Sequence, residues 1–468
     1  GLTLEDTVRI GGRLARRPFL RVGGLGLAGL GGLPAALAAA TEQAATHRSP
    51  LRDRSVIFVF MHGGPAQHES FDPKGDGPAH ARSMTGEIPT SLPGISFGST
   101  FEQLATRAHL FNIVRSFVTG DGNHDIKPIL GKDTLKANMG SLYARVAGVM
   151  RPGSGMPTNV ALFPQAVLPS AQPAIKSFGD FESAGELGAG YAPIVPGGGG
   201  SFQQDMRLAL PQERLSDRRS LLAAIDRGRR WLDTPALRDA AATQGLAFDV
   251  LLKGASEAFD LSQEDPRTIA RYDTSALVHP DRISKKWNNH KNYADHGQTI
   301  GKLLLLARRL CERGVGFVTV TTSFVWDMHA DVNNATMTEG MGYVGRPFDH
   351  AMAALLDDLE ARGLRDKVMV VCCGEMGRTP VVNKNGGRDH WGGLAPLLLY
   401  GGGLGAGRVI GRSTRDGGQP ASDPVQIPDL VATIMGGLLD LAEVRLIDGL
   451  PKKLQDVFAG GRPIPGLG

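Results

Sequence analysis

Five side chains of the kinds that bind divalent metals or move protons stand beside apolar runs of this chain: His62, Asp327, His329, Glu375 and His390. In Asp327-Met328-His329 the first and third residues of an extended segment point to the same side, so a carboxylate and an imidazole can face one cation together. Carboxylate and imidazole donors suit zinc first, and carboxylate-rich mixtures also admit manganese, magnesium or calcium. Asp389 and His390 are adjacent and point apart in extended chain, so one ligates while the other orients a neighbour; His390 is taken as the ligand. Arg378, close behind Glu375, can hold one edge of a tetrahedral oxyanion by paired hydrogen bonds, with a salt bridge to Asp389 or Glu375 as the competing role. Asn123-His124-Asp125, in a loop after the apolar Leu110 to Val114 segment, is a further candidate. Each residue singly has a structural alternative. Taken together they point to a metal or anion site.

Such residues need strands to bring them to one place. Ser55 to Met61 is a continuous apolar run closed by His62-Gly63-Gly64-Pro65, which suits a strand buried on both faces. Val315 to Thr321 and Lys367 to Cys373 read the same way, the second ending at Gly374-Glu375. Helical apolar periodicity precedes both, over Gly301 to Arg313 and Phe348 to Gly363, with basic residues on the polar face of the first. Pro396 to Tyr400 reads as another strand. Helices alternating with buried strands predict an α/β core with a mostly parallel central sheet, and ligands of such sheets bind beyond the carboxyl ends of the strands. His62 and Glu375 directly follow strands, Asp327 and His329 follow shortly after one, and Gly387 to Trp391 lies in the next loop.

Length and composition bound the remainder. A chain of 468 residues, 41% hydrophobic and 21% charged, can bury a large core. Lys plus Arg of 51 against Asp plus Glu of 47 is too even a balance to indicate a nucleic-acid partner. Three cysteines cannot make a disulfide framework, and Cys372-Cys373 reads as small core residues. A GxSxG elbow, a HExxH helix and a P-loop are all missing, which argues against an α/β-hydrolase and against those metal and nucleotide sites. Arg16-Arg17-Pro18-Phe19-Leu20-Arg21, a Gly- and Leu-rich stretch, and Leu37-Ala38-Ala39-Ala40 read as a twin-arginine export signal over 1–40. Six glycines between Val22 and Leu33 make that stretch a poor membrane helix. The mature chain carries no transmembrane span by this reading, and the location expected is the periplasm or cell surface. One α/β domain is expected over 41–468, with a mainly helical insertion at about 164–296 that holds the glycine tract Pro196 to Ser201 and the basic pattern Arg218 to Leu232.

The motifs resemble the bacterial family known as domain of unknown function 1501, a sulfatase-like branch of the alkaline phosphatase superfamily. They are Val59-Phe-Met-His-Gly-Gly-Pro65 with Ser70-Phe-Asp-Pro-Lys74, Asn123-His124, Gly188 to Pro193, Arg214 to Leu222, Leu306 to Leu310, Trp326-Asp-Met-His329, Gly374 to Pro380 and Gly387 to Trp391. The resemblance implies a metal site at the carboxyl end of the sheet and hydrolysis of sulfate or phosphate esters. His62 takes the place of the aspartate that usually follows the first strand, Asp327 and His329 resemble the later ligand pair, Glu375 sits where an Asp-His pair usually follows a strand, and His390 matches the final histidine ligand. Where relatives keep a Ser, Thr or Cys nucleophile, near Thr119 to Asp125, this chain has Asn123-His124, so His124 and Arg378 are the catalytic candidates. Asp72, Asn123 and Asp389 are alternative ligands or supports. The small-molecule partner implied is a sulfate or phosphate ester. The alternative is a non-catalytic binding protein that keeps the fold, and possibly a metal, and docks a surface protein.

Overall fold

The computed structural model describes residues 49–151, 154–197 and 256–468. The residues read as an export signal and the Arg218 to Leu232 pattern lie outside them, as does the part of the expected helical insertion over 198–255.

The first apolar run becomes β1 (Ser55–Phe60), every residue of it buried. Its side chains alternate between two cores: Ile57 and Val59 enter one, Val56, Phe58 and Phe60 the other. A strand covered on both faces has no polar side, which is why its sequence runs apolar without interruption. A small antiparallel pair, β2 (Glu87–Pro89) and β3 (Ser96–Gly98), follows outside the main sheet. The main sheet adds β4 (Phe111–Val114), β5 (Asn159–Leu162), β6 (Phe317–Thr321), β7 (Val368–Cys373), β10 (Leu397–Gly401) and β11 (Val409–Ile410), in the spatial order β11-β4-β10-β7-β1-β6-β5. Neighbours pair in parallel except at β10, which runs against both β7 and β4. Between them lies a separate antiparallel hairpin, β8 (Gly377–Val382) and β9 (Arg388–Trp391).

Four helices cover the sheet. On one face lie α1 (Met139–Ala147) and a later helix, Ile427–Leu438; on the other lie α2 (His290–Glu312) and α3 (Arg346–Ala361). The helix expected from Gly301 in fact begins at His290, so the expected insertion boundary at 296 falls inside α2. Its first turns were hidden because Asn, Asp and Gly interrupt the apolar period there. Gly301 is required by packing, since a Cβ would collide with the backbone carbonyl of Tyr272. The face of α2 that carries the basic residues is partly buried. Arg308 is fully enclosed, with its guanidinium on Asp358, Glu264 and Glu312, each at 2.8 Å. Among the described residues, no helix is long and apolar enough to cross a membrane.

Candidate metal centre

The parallel strands β1, β6, β7 and β4 all end on the same side, and their following loops carry His62, Asp327, Glu375 and His124. The turn after β1 is built on glycine. Gly63 has φ +114°, and a Cβ there would stand 2.5 Å from the Asp327 nitrogen. This close approach lets the Trp326 N–H donate to the His62 carbonyl (3.1 Å) and the Gly63 N–H donate to Glu375 Oε1 (2.9 Å). His390 reaches the same place from β9, opposite Arg378 in the hairpin register.

His124, Asp327 and His390 converge. Nε2 of His124 lies 3.2 Å from Nε2 of His390 and 3.5 Å from Asp327 Oδ2, and His390 Nε2 lies 3.2 Å from Asp327 Oδ1. Tetrahedral zinc with bonds of about 2.0–2.1 Å places its ligand atoms about 3.3–3.4 Å apart. The two edges to Asp327 run to different carboxylate oxygens; one ligand atom from each residue lies within 4.8 Å of the others, and the donor types suit a divalent cation. The facing nitrogens fit it too, because two imidazoles meeting Nε2 to Nε2 need a proton or a cation between them. Beside the triad, His62 Nε2 and Glu375 Oε2 are buried without a hydrogen-bond partner, polar atoms whose burial is costly unless something satisfies them.

Glu375 stands behind His124 rather than in the triad. Its Oε1 lies 2.9 Å from His124 Nδ1, so the carboxylate accepts a hydrogen bond from Nδ1–H, which leaves the Nε2 lone pair facing Asp327 and His390. Burial alone would lower the His124 pKa, but the hydrogen bonds and charges of Asp327 and Glu375 outweigh it and raise it. Burial would likewise raise the Asp327 carboxyl. Arg378 and the three histidines around it instead hold it far below the usual carboxylate range. His329 donates through Nδ1 to Asp327 Oδ1 (2.7 Å), and its Nε2 lies 3.4 Å from Asp331; chiefly the Asp327 bond raises its pKa. His62 is enclosed by Phe324, Phe181 and Phe178, and burial pushes it down to about 4 despite the nearby Glu375 charge.

Other expectations are corrected. Arg378 is fully buried and cannot clamp an oxyanion. Its Nε donates to the Gly64 carbonyl (2.8 Å), its Nη2 to the Gly63 carbonyl and to Asp327 Oδ1 (2.7 Å), and its Nη1 to the Arg388 carbonyl (3.2 Å). It welds the glycine turn to the ligand carboxylate. Asp72 lies in a different cluster, with Lys74 (3.0 Å), Arg115 (3.4 Å) and Ser413. Asn123 is exposed in a turn on Asp121, and Asp389 is exposed and accepts from Asn383 on the outer side of the hairpin. Gly387 to Trp391 is not a loop, because Arg388 to Trp391 pairs with β8 as strand. Sequence reasoning missed Asn334, which donates to Asp327 Oδ2 (3.1 Å), and the stacked Phe178 and Phe324, whose rings lie 4.9 and 4.6 Å from that of His124. No local pattern marks these, although Phe324 and Asn334 share with Asp327 the loop after β6, and Phe178 arrives from another loop.

Fold and site define a class: an α/β protein with a doubly covered, mostly parallel sheet and a histidine-carboxylate cluster beyond the carboxyl ends of its strands. Within that class the chain belongs to the family described as Protein of unknown function (DUF1501), whose model matches residues 53–465. No curated protein matches it. Among solved structures it is similar to Ps i-CgsB at 10% identity, over 88% of this chain and 77% of that one, with a TM-score of 0.36. The PsFucS1 sulfatase from Pseudoalteromonas sp. matches at 12% identity, over 86% and 69% of the two chains, with a TM-score of 0.35. The phosphonate monoester hydrolase SpPMH from Silicibacter pomeroyi matches at 10% identity, over 88% and 78%, with a TM-score of 0.34.

Proposed function

We propose that this chain is an exported, divalent-metal-dependent hydrolase of sulfate or phosphate esters, sulfatase-like within the alkaline phosphatase superfamily. The observation that carries the reading is the triad of His124, Asp327 and His390, whose ligand atoms, one from each residue, lie within 4.8 Å of one another, with His124 oriented by a buried carboxylate. Three protein ligands leave a position open to substrate, the arrangement of catalytic rather than structural zinc. When bound there, the cation supplies Lewis acidity toward the ester oxygen. The chain's own residues prepare that place. Glu375 fixes the His124 tautomer, Arg378 and Asn334 hold Asp327 in position, and Phe178 and Phe324 shield one side from water. His329, partly exposed and held by Asp327, is the proposed proton donor to the leaving oxygen.

Elemental analysis of protein purified without chelator should show a bound divalent metal, zinc first. Aryl sulfates or aryl phosphates should be turned over only by the metal-loaded protein, and His390→Ala should remove both metal and turnover without unfolding the chain. One observation favours the second reading, a non-catalytic binding protein: Arg378 is fully buried, with four of its five N–H donors on Gly63, Gly64, Arg388 and Asp327. A metal-loaded wild type that turns over neither ester class decides for it.

A further inference from the structure

The turn that joins β8 to β9 clasps the loop that carries Asp327 and His329. Asn383 donates through Nδ2 to the His329 carbonyl (2.8 Å), and Asn385 through Nδ2 to the Ala330 carbonyl (3.2 Å). The Gly386 carbonyl accepts from the Met337 N–H (2.9 Å), and the Arg388 N–H donates to the Met328 carbonyl (3.1 Å). Gly387 comes so close that a Cβ on it would stand 2.3 Å from the His329 carbonyl carbon. What is clasped is strained. Ala330 is a buried non-glycine residue at φ +58°, a conformation that persists where the surroundings over-determine it.

The clasp contains the one Asn-Gly pair of the sequence, Asn385-Gly386. Asn385 is exposed, and a Cβ built on Gly386 would meet nothing nearer than Thr336 at 3.7 Å, so no neighbour outside the turn crowds the pair. Glycine has no side chain beside its nitrogen and reaches backbone conformations closed to other residues, so that nitrogen can swing onto the side-chain amide carbon of the residue before it. Two hydrogen bonds must open first, the Asn385 amide on Ala330 and the Gly386 N–H on the Asn383 carbonyl (3.0 Å). Asn383, in the same turn, is followed by Lys384, whose side chain obstructs the same approach.

We propose that Asn385 is a site of spontaneous deamidation, and that the change loosens the clasp on His329. The Gly386 nitrogen bonds to Asn385 Cγ, and the side-chain nitrogen leaves as ammonia with the proton that Gly386 gives up, closing a succinimide ring. Water then opens the ring at either carbonyl and leaves isoaspartate or aspartate. The net change is water in and ammonia out, with nothing oxidised or reduced. Either product removes the amide N–H that faces the Ala330 carbonyl and adds a carboxylate to the turn. In aspartate the carboxylate meets that carbonyl directly, acceptor against acceptor, and the two repel. Isoaspartate routes the main chain of the turn through an extra methylene. Ala330 then relaxes from its strained conformation, and the His329 ring loses its place on Asp327. The modification goes beyond the hydrolase reading and does not rest on it.

Ageing of the full chain at mildly alkaline pH, followed by peptide mapping with isoaspartate detection, tests the site. Aspartate and isoaspartate should accumulate at Asn385 at least ten-fold faster than at Asn383. Hydrogen exchange tests the consequence. Asn385→Asp should speed exchange of the Ala330 amide, which donates to the Ala335 carbonyl, at least ten-fold, while exchange in α2 keeps the wild-type rate. Asn385→Ala, which loses the donor without adding charge, should fall between. Asn385 left intact after ageing, or changing no faster than Asn383, overturns the site. Exchange at Ala330 equal in wild type and Asn385→Asp overturns the loosening. Neither readout uses metal or turnover, so an inactive protein would sink the hydrolase reading and leave this site standing.

Discussion

His124 shows two different neighbours to its two ring nitrogens, and that asymmetry sets its chemistry. Nδ1 meets Glu375 and Nε2 meets the other ligand atoms, so Glu375 acts on the centre through His124. Glu375→Gln keeps the shape of the side chain but weakens its hold on the Nδ1 proton. Metal affinity should fall about 10–100-fold, as for other supporting carboxylates, with the fold retained. Competition with a chromophoric chelator reads this directly, and unchanged affinity would remove Glu375 from its assigned role. The pH sign follows from the raised His124 pKa. Metal needs the neutral imidazole, so affinity drops as pH falls through that raised value. In the metal-free protein the same group works the other way. Its contribution to stability is present below the ordinary histidine value and is lost as pH rises through the folded one.

The β8–β9 hairpin is the element that delivers His390, and its anchor is Arg388. That side chain is fully buried, with its Nε 3.1 Å from the equally buried Glu69 and its other donors on the carbonyls of Arg82, Thr379 and Pro380. Removing one partner of such a pair strands the other charge, at a cost of about 3–5 kcal/mol. Arg388→Leu should therefore lower the unfolding free energy from denaturant titration by that amount and weaken metal binding as well, because His390 loses its register. A variant of normal stability would show that Glu69 is satisfied by Ser83, Met84 and Thr85 alone. The hairpin also shows where legibility in sequence ended. His390 was singled out from its motif, whereas its strand was not, because β9 has only four residues and little apolar alternation.

Across the whole molecule, burial of neutral histidines couples stability to acid. Burial lowers His68 and His296 to about 4, in each case as the largest influence, far from the metal triad in sequence. Their folded pKa lies below the unfolded value, so the stability they confer is present above about 6.5 and is lost as pH falls toward about 4. Each group should contribute a slope of about 1.4 kcal/mol per pH unit inside that window. Denaturant titrations between neutral pH and the lower limit should show it, and His296→Phe should flatten it; an unchanged slope would mean that these residues do not carry the effect. Export is a property of the chain as a whole. If Arg16 and Arg17 are read by machinery that carries folded proteins, replacing both with Lys should leave the protein in the cytoplasm, and export of that variant at the normal level would discard the signal.

The central strands were readable because double burial imposes an uninterrupted apolar run, a requirement each segment meets alone. His62, Asp327 and Glu375 were readable with them, since a polar residue at the end of such a strand falls at the sheet's carboxyl edge. What sequence could not decide was which donors face one another. His124 joined the triad and Glu375 withdrew behind it because the Gly63 turn, the Asp327 loop and the hairpin close on one another in space. Arg378 follows the same logic. Local order put a guanidinium beside a carboxylate, but only tertiary packing turned it inward, where the buried carbonyls of a glycine turn are acceptors that had to be matched. Strand periodicity is enforced residue by residue along the chain, whereas the pairing of donors is set by contacts between segments hundreds of residues apart.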